Sequence, residues 1–289
     1  MKLEVFDERR CILGEGPTSS GSDNNVVTWV DILGHKVLWK DMITHQIGSF
    51  DTAAEVGFCL PSADGEHVLG HASGITLRDK TGSETPLLRS GDSIEPLNSQ
   101  LRWNDAKVSP DGDLFAGTMA FDGRKDAGAL YRIPRGGESI ERLISPVSIS
   151  NGLDWSPDGT LFYFIDTLTF RLDVFDNNAS GISNRKTLIH FNEADGMPDG
   201  MCSDAEGGLW VAFWGGQSLR RYDTSGNLTL QVMLPAKNVT SCVFAGVDLD
   251  TLIVTTAKLD DDGSESMQSG MTFMIKPGVK GIKTRFFKP

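Results

Sequence analysis

Cysteine is scarce in this chain. Four residues, Cys11, Cys59, Cys202 and Cys242, are spread over 289 positions with no Cys-x-x-Cys pair. That spacing argues against a disulfide framework or a zinc site and for buried free thiols in a reducing cytoplasm. Positive charge is also short. Lys and Arg number 27 against 39 Asp and Glu, a net charge of −12. Nucleic acid and anionic membranes both require a basic face, so neither is an expected partner. No apolar run approaches membrane-spanning length. The opening stretch MKLEVFDERRC has acids where a signal peptide would have its apolar core. Asn178, Asn227 and Asn238 begin Asn-x-Ser/Thr sequons, which carry no meaning in a cytoplasmic protein. Sustained helical periodicity is missing throughout. So is a Gly-x-Ser-x-Gly elbow, which removes the commonest serine-nucleophile signature.

What is present is a repeat. The turn signal SADG starts at Ser62, and SPDG starts at Ser109 and at Ser156, 47 residues apart each time. A degenerate copy, DAEG, starts at Asp204, 48 residues further on. A short β-rich run follows each turn: EHVLGHA, DLFAGTM, TLFYFID, GLWVAFW. Two further copies, NNVVTWVDI and DTLIVTTA, lack a clean turn but flank the series, which makes six units. Asp-Gly between apolar runs is a strong hairpin signal, because glycine tolerates the positive φ such turns need. Each unit reads as four short strands. Four antiparallel strands per forty-odd residues is the pattern of a propeller blade. The sequence therefore predicts an all-β, six-bladed β-propeller forming a single domain over 1–289. The last unit supplies three clear strands. The free N-terminal run KLEVFDE is expected to complete it and close the ring, removing exposed sheet edges. A Greek-key sandwich would not explain the near-constant spacing.

In a propeller the first strand of every blade lines the central axis. Five residues before the turns stand Gly57, Asn104, Asn151 and Asp199. The irregular first unit places Glu15 of GEGPTSSG at this phase, and the sixth places Thr240 and Ser241 near it. Glu15, Asn104, Asn151 and Asp199 are thus expected to converge at one mouth of the axis. Buried carboxylates are costly without a partner, and no Lys or Arg shares their phase. A divalent cation bound by carboxylate and carboxamide oxygens would resolve the conflict.

The stretches LGEGP (13–17), RWNDAKVSPDGDLFAGTMA (102–120), SNGLDWSPDGTLFYFIDTLTFRLDVFD (150–176) and PDGMCSDAEGGLWVAFWGG (198–216) carry a resemblance. With TSCVF and GVKG near the C-terminus, they resemble the regucalcin (senescence marker protein)/gluconolactonase/luciferin-regenerating enzyme family. The resemblance covers nearly the whole chain. It implies a six-bladed propeller with one divalent metal near the axis, Ca²⁺ or Zn²⁺ foremost, with Mn²⁺, Mg²⁺ or Fe²⁺ as alternatives. It implies Glu15, Asn151 and Asp199 as metal ligands and Arg102 and Asn104 as substrate contacts. Vertebrate members carry a substrate-contacting glutamate after Gly-Thr-Met-Ala. This chain has Phe121 and Asp122 there, so Asp122 is the expected substitute and this loop the expected seat of a changed substrate preference. The following GRKDAG has the composition of a mobile lid.

The implied reaction is hydrolysis of a sugar lactone to the open acid, with the metal as Lewis acid and Asp199 as both ligand and general base. Arg102 suits substrate oxygens through its fork of donors. The five histidines lie on later strands or loops, and His71 reads as structural. The tryptophans read as inter-blade packing, except Trp103, which sits between two expected substrate contacts. Asp105 is expected to hydrogen-bond the next blade. The alternatives are a metal-dependent esterase or organophosphate hydrolase, a calcium-binding regulatory protein without essential catalysis, and a propeller serving as an interaction platform. A sugar lactone is the expected partner, and the chain is expected as a monomer or weak dimer.

Overall fold

The computed structural model describes residues 1–21, 23–65, 67–89, 100–137, 139–259 and 267–289. Strand β1 (Glu4–Asp7) opens the chain. Blade 1 follows with β2 (Gly14–Ser20), β3 (Val26–Asp31), β4 (Lys36–Asp41) and β5 (Ile47–Asp51). Blade 2 holds β6 (Val56–Pro61), β7 (His67–His71), β8 (Gly74–Arg78) and β9 (Glu84–Arg89). Blade 3 holds β10 (Leu101–Val108), β11 (Leu114–Ala120), β12 (Gly128–Ile133) and β13 (Glu141–Val147). Blade 4 holds β14 (Ser150–Trp155), β15 (Leu161–Asp166), β16 (Arg171–Asn178) and β17 (Gly181–His190). Blade 5 holds β18 (Met197–Ser203), β19 (Leu209–Trp214), β20 (Ser218–Tyr222) and β21 (Leu228–Met233). Blade 6 holds β22 (Asn238–Ala245), β23 (Thr251–Ala257) and β24 (Thr272–Ile275).

These strands form six four-stranded antiparallel sheets arranged as a six-bladed β-propeller. The sixth sheet runs β1-β24-β23-β22, with Glu4 opposite Met274 and Val5 opposite Phe273. The N-terminal strand thus closes the ring, as the leftover strand in the sequence predicts. Of the described residues, no helix is long and apolar enough to cross a membrane.

The repeated turns share one chemistry. In each, the glycine amide donates to the carbonyl three residues back: Gly65 to Ser62, Gly112 to Ser109, Gly159 to Ser156 and Gly207 to Asp204, at 2.8–3.1 Å. This is a hairpin turn ending in a left-handed residue. The core is divided among the blade interfaces. One apolar cluster lies between each adjacent pair, and Trp29, Trp103, Trp155 and Trp210 are fully buried within them.

The C-terminal segment straps the turn face of the ring. Ser19 Oγ and Thr284 Oγ1 share a hydrogen bond of 2.6 Å (blade 1), and Phe287 N donates to Pro61 O at 3.0 Å (blade 2). Gly136 N donates to Lys288 O at 2.8 Å (blade 3), and Arg285 Nη1 lies 3.8 Å from Asp154 Oδ1 (blade 4). Ala205 N donates to Lys280 O (blade 5) and Gly281 N to Leu249 O (blade 6), each at 2.8 Å. Every blade is therefore touched. Phe287 is fully buried in the cluster between blades 2 and 3. Phe287→Ala is expected to cost about 3–5 kcal/mol of stability, read as a lower denaturant midpoint at unchanged slope.

Candidate active site

All six axial strands carry the same local device. The register shifts between Glu15 and Thr18 in β2, Val56 and Phe58 in β6, and Trp103 and Ala106 in β10. It shifts again between Asn151 and Leu153 in β14, Pro198 and Met201 in β18, and Val239 and Ser241 in β22. Each bulge adds one unpaired residue, bends the strand and re-aims the side chains beside it. The bulges fall at the phase read from the turns, where Glu15, Asn104, Asn151, Asp199 and Thr240 stand. Blade 2 has Gly57 here for a steric reason. A Cβ on Gly57 would lie 2.3 Å from Trp103 O and 2.7 Å from Asn104 O, so this blade contributes no axial side chain.

Two hydrogen-bonded groups result. In the first, Arg102 Nη1 donates to Asn104 Oδ1 at 2.6 Å and to Trp103 O at 3.1 Å. Asn104 Nδ2 donates to Asn151 Oδ1 at 2.9 Å and to Ser150 O at 2.8 Å. Asn151 Nδ2 donates to Thr167 Oγ1 at 2.9 Å, and Thr167 Oγ1 donates to Pro198 O at 2.8 Å. This chain of bonds links blades 3, 4 and 5. In the second group the carboxyls of Glu15 and Asp199 hydrogen-bond each other. Glu15 Oε2 also accepts from Gly16 N at 2.9 Å. Glu15, Arg102, Asn104, Asn151 and Asp199 are all buried, none more than 9 % exposed.

Burial sets the electrostatics. The Glu15 carboxyl is pushed up to about 8, first by desolvation and then by the charge of Asp105. Asp199 is pushed well above the carboxylate range by desolvation and then by Glu15. Without a cation, burial and their mutual repulsion thus bias both acids toward their protonated forms. Burial also lowers Arg102 to about 10, while Glu15, Glu55 and Asp199 favour its charged form. Asp199 Oδ1 is buried without a hydrogen-bond partner.

These residues fit a divalent cation. Two carboxylates in contact, one with an unpartnered oxygen, beside a carboxamide oxygen of Asn151, make a hard-oxygen donor set. Among the described residues no group of three or more His, Cys, Asp or Glu side chains converges as a metal site. A cation here would thus draw on Asn151 as well as on Glu15 and Asp199.

Other expected residues lie elsewhere. Asp122 is on an exposed loop, where it accepts from Arg124 Nη1 at 2.9 Å and from the Arg124 amide at 3.2 Å. Those bonds hold its carboxyl below the ordinary range, and they do not join it to the axial groups. The GRKDAG loop is pinned by Arg124 Nη2 to Gln100 Oε1 (2.7 Å) and by Asp126 N to Ser148 Oγ (3.1 Å). Trp103 is not a site residue. Strand alternation turns it opposite to Arg102 and Asn104, and it packs edge-on against Tyr131, centroids 5.7 Å apart. Asp105 accepts from Ala106 N at 2.8 Å rather than bridging to the next blade. Asp154 makes that bridge, accepting from Ser203 N at 2.8 Å. His71 is structural, its Nε2 bonded to Thr76 Oγ1 and Glu84 Oε2.

Sequence reasoning missed Ser150, Thr167 and Glu55. Thr167 follows the second strand of its blade and has no turn to index it. Glu55 lies two residues before Gly57 and acts on Arg102 through charge alone.

Residues 13–258 match the model of the SMP-30/Gluconolactonase/LRE-like region. A regucalcin of Danio rerio is 37% identical over 293 residues, covering 98% of this chain and 97% of its own. The solved structure of a calcium-binding protein, regucalcin, from Agrobacterium tumefaciens superposes with TM-score 0.92 at 29% identity, covering 99% of this chain and 97% of that one. A luciferin-regenerating enzyme superposes with TM-score 0.90 at 30% identity, covering 100% and 99%. The chain belongs to the SMP-30/gluconolactonase/LRE-like family.

Proposed function

We propose that this protein is a lactonase that opens a sugar lactone to its hydroxy acid. Membership of a family that includes gluconolactonases supports a lactonase-like hydrolase. The observation that carries the reading is the contact of Glu15 and Asp199 beside the Arg102–Asn104–Asn151 chain, with Asp199 Oδ1 unpartnered.

A divalent cation held by Glu15, Asn151 and Asp199 would supply Lewis acidity at the lactone carbonyl and stabilise the oxyanion. The chain's own groups account for the rest. Arg102, held in place by its bond to Asn104 Oδ1, presents its remaining guanidinium donors to substrate oxygens. Asn104 uses both amide hydrogens on Ser150 O and Asn151 Oδ1, so it orients its two neighbours as well as facing the substrate. Asp199 Oδ1 accepts a proton from water as that water adds to the carbonyl carbon. The same proton then passes to the ring oxygen as the C–O bond breaks. Burial keeps bulk water from competing for these donors.

The test is acid release from a panel of aldonolactones, aryl esters and organophosphates, with and without EDTA. Turnover of a lactone that stops on chelation and returns with added divalent cation is expected. Cation binding without turnover of any substrate would instead support a calcium-binding regulatory protein.

A further inference from the structure

Two of the four cysteines meet at a place the proposed hydrolysis does not use. Cys202 on β18 and Cys242 on β22 belong to neighbouring blades, and their Sγ atoms lie 3.4 Å apart, both buried. The two strands approach closely here. A Cβ on Gly200 would fall 2.2 Å from Ser241 Oγ and 2.8 Å from Thr240 O. Both cysteines line an axial chamber of about 60 Å³ together with Asp105, Lys107, Asp154 and Arg285. That volume admits a few water-sized molecules. Lys107 Nζ donates to Met201 O at 3.0 Å and to Asp154 Oδ2 at 3.2 Å. Burial and then the neighbouring thiol push Cys202 well above the ordinary thiol range, and the Lys107 charge partly offsets them. Cys11 and Cys59 are different. All four cysteines border apolar clusters, but neither Cys11 nor Cys59 has a sulfur partner among the described residues.

We propose that Cys202 and Cys242 are an oxidative modification site, which a small peroxide converts to a disulfide joining blade 5 to blade 6. One thiolate attacks an oxygen of hydrogen peroxide, the O–O bond breaks, and a sulfenic acid and hydroxide form. The second thiolate attacks that sulfur, the S–S bond forms, and the S–O bond breaks with loss of hydroxide. The two protons released by the thiols convert both hydroxides to water. The sulfur pair loses two electrons and the peroxide gains them. Closing from 3.4 Å to a disulfide length of about 2.05 Å requires a movement of about 1.4 Å, within reach of small side-chain rotations.

The test treats the whole protein with hydrogen peroxide, then counts thiols after denaturation, weighs the intact chain and maps unreduced tryptic peptides. Four thiols should fall to two, with a mass loss of about 2 Da. Peptide 187–220, which holds Cys202, should be linked to peptide 238–258, which holds Cys242, and dithiothreitol should reverse the link. Cys202→Ser and Cys242→Ser should each abolish the linked peptide. The map of the unaltered protein stands even if a variant folds poorly. Gains of about 16 or 32 Da on either cysteine, a link through Cys11, Cys59 or a second chain, or survival of all four thiols would each overturn the proposal.

Discussion

Asp199→Asn is expected to lower kcat/KM for lactone hydrolysis by about 10²–10⁴-fold while leaving the propeller folded. Asparagine matches aspartate in shape and can donate to Glu15, so the packing around β18 is kept. It cannot take a proton from water, and it removes one of two negative charges from the cation site. Loss should appear in kcat and in cation affinity together, because one side chain serves both roles. Without cation, the variant should be at least as stable as the parent at pH 8, since one of two repelling buried acids is gone. Steady-state kinetics and thermal unfolding on the same preparation check both statements. A variant with parental kcat/KM on every substrate turned over would remove Asp199 from the mechanism.

The second large effect is a pH-dependent stability that a divalent cation reverses. Glu15 moves from an ordinary value of 4.5 to about 8 on folding, and Asp199 moves in the same direction. Below the lower value the carboxyls are protonated in both states, and above the higher they are ionised in both. Between them the folded state holds more protons than the unfolded one, so stability falls as pH rises. One pKa unit corresponds to about 1.4 kcal/mol, so the fall from about pH 5 to pH 8 should reach a few kcal/mol. A cation binds the ionised pair and competes with the proton. Its stabilisation should therefore be small near pH 5 and grow toward pH 8, by about 2.7 kcal/mol at a hundred times its Kd. Thermal unfolding across this range, with EDTA or with added Ca²⁺, reads the effect. A metal-free protein whose stability does not fall over that interval would show that the carboxyls are not in buried contact.

Much of the site was legible because turn chemistry is local. A hairpin ending in Asp-Gly marks its own position whatever surrounds it, and strand length then fixes what lies five residues upstream. Phase alone therefore pointed to Glu15, Asn104, Asn151 and Asp199, without any knowledge of which side chains bond. It could not rank them. The ranking depends on hydrogen bonds between blades: Asn104 reaches Ser150 and Asn151, 46 and 47 positions away, and Glu15 meets Asp199 across the ring.

The strand pattern, the blade count and the N-terminal closure were determined by the sequence itself, since each follows from short-range periodicity and from the need to cover sheet edges. The tertiary structure alone decided the rest. It turned Trp103 into the core, paired Asp122 with Arg124, assigned the inter-blade bridge to Asp154 in place of Asp105, and laid the C-terminal segment across all six blades. It also brought Cys202 to Cys242. Each of these is a contact between residues on different strands or loops. Its geometry depends on how blades pack and where bulges re-aim side chains, and no local pattern in one chain encodes that.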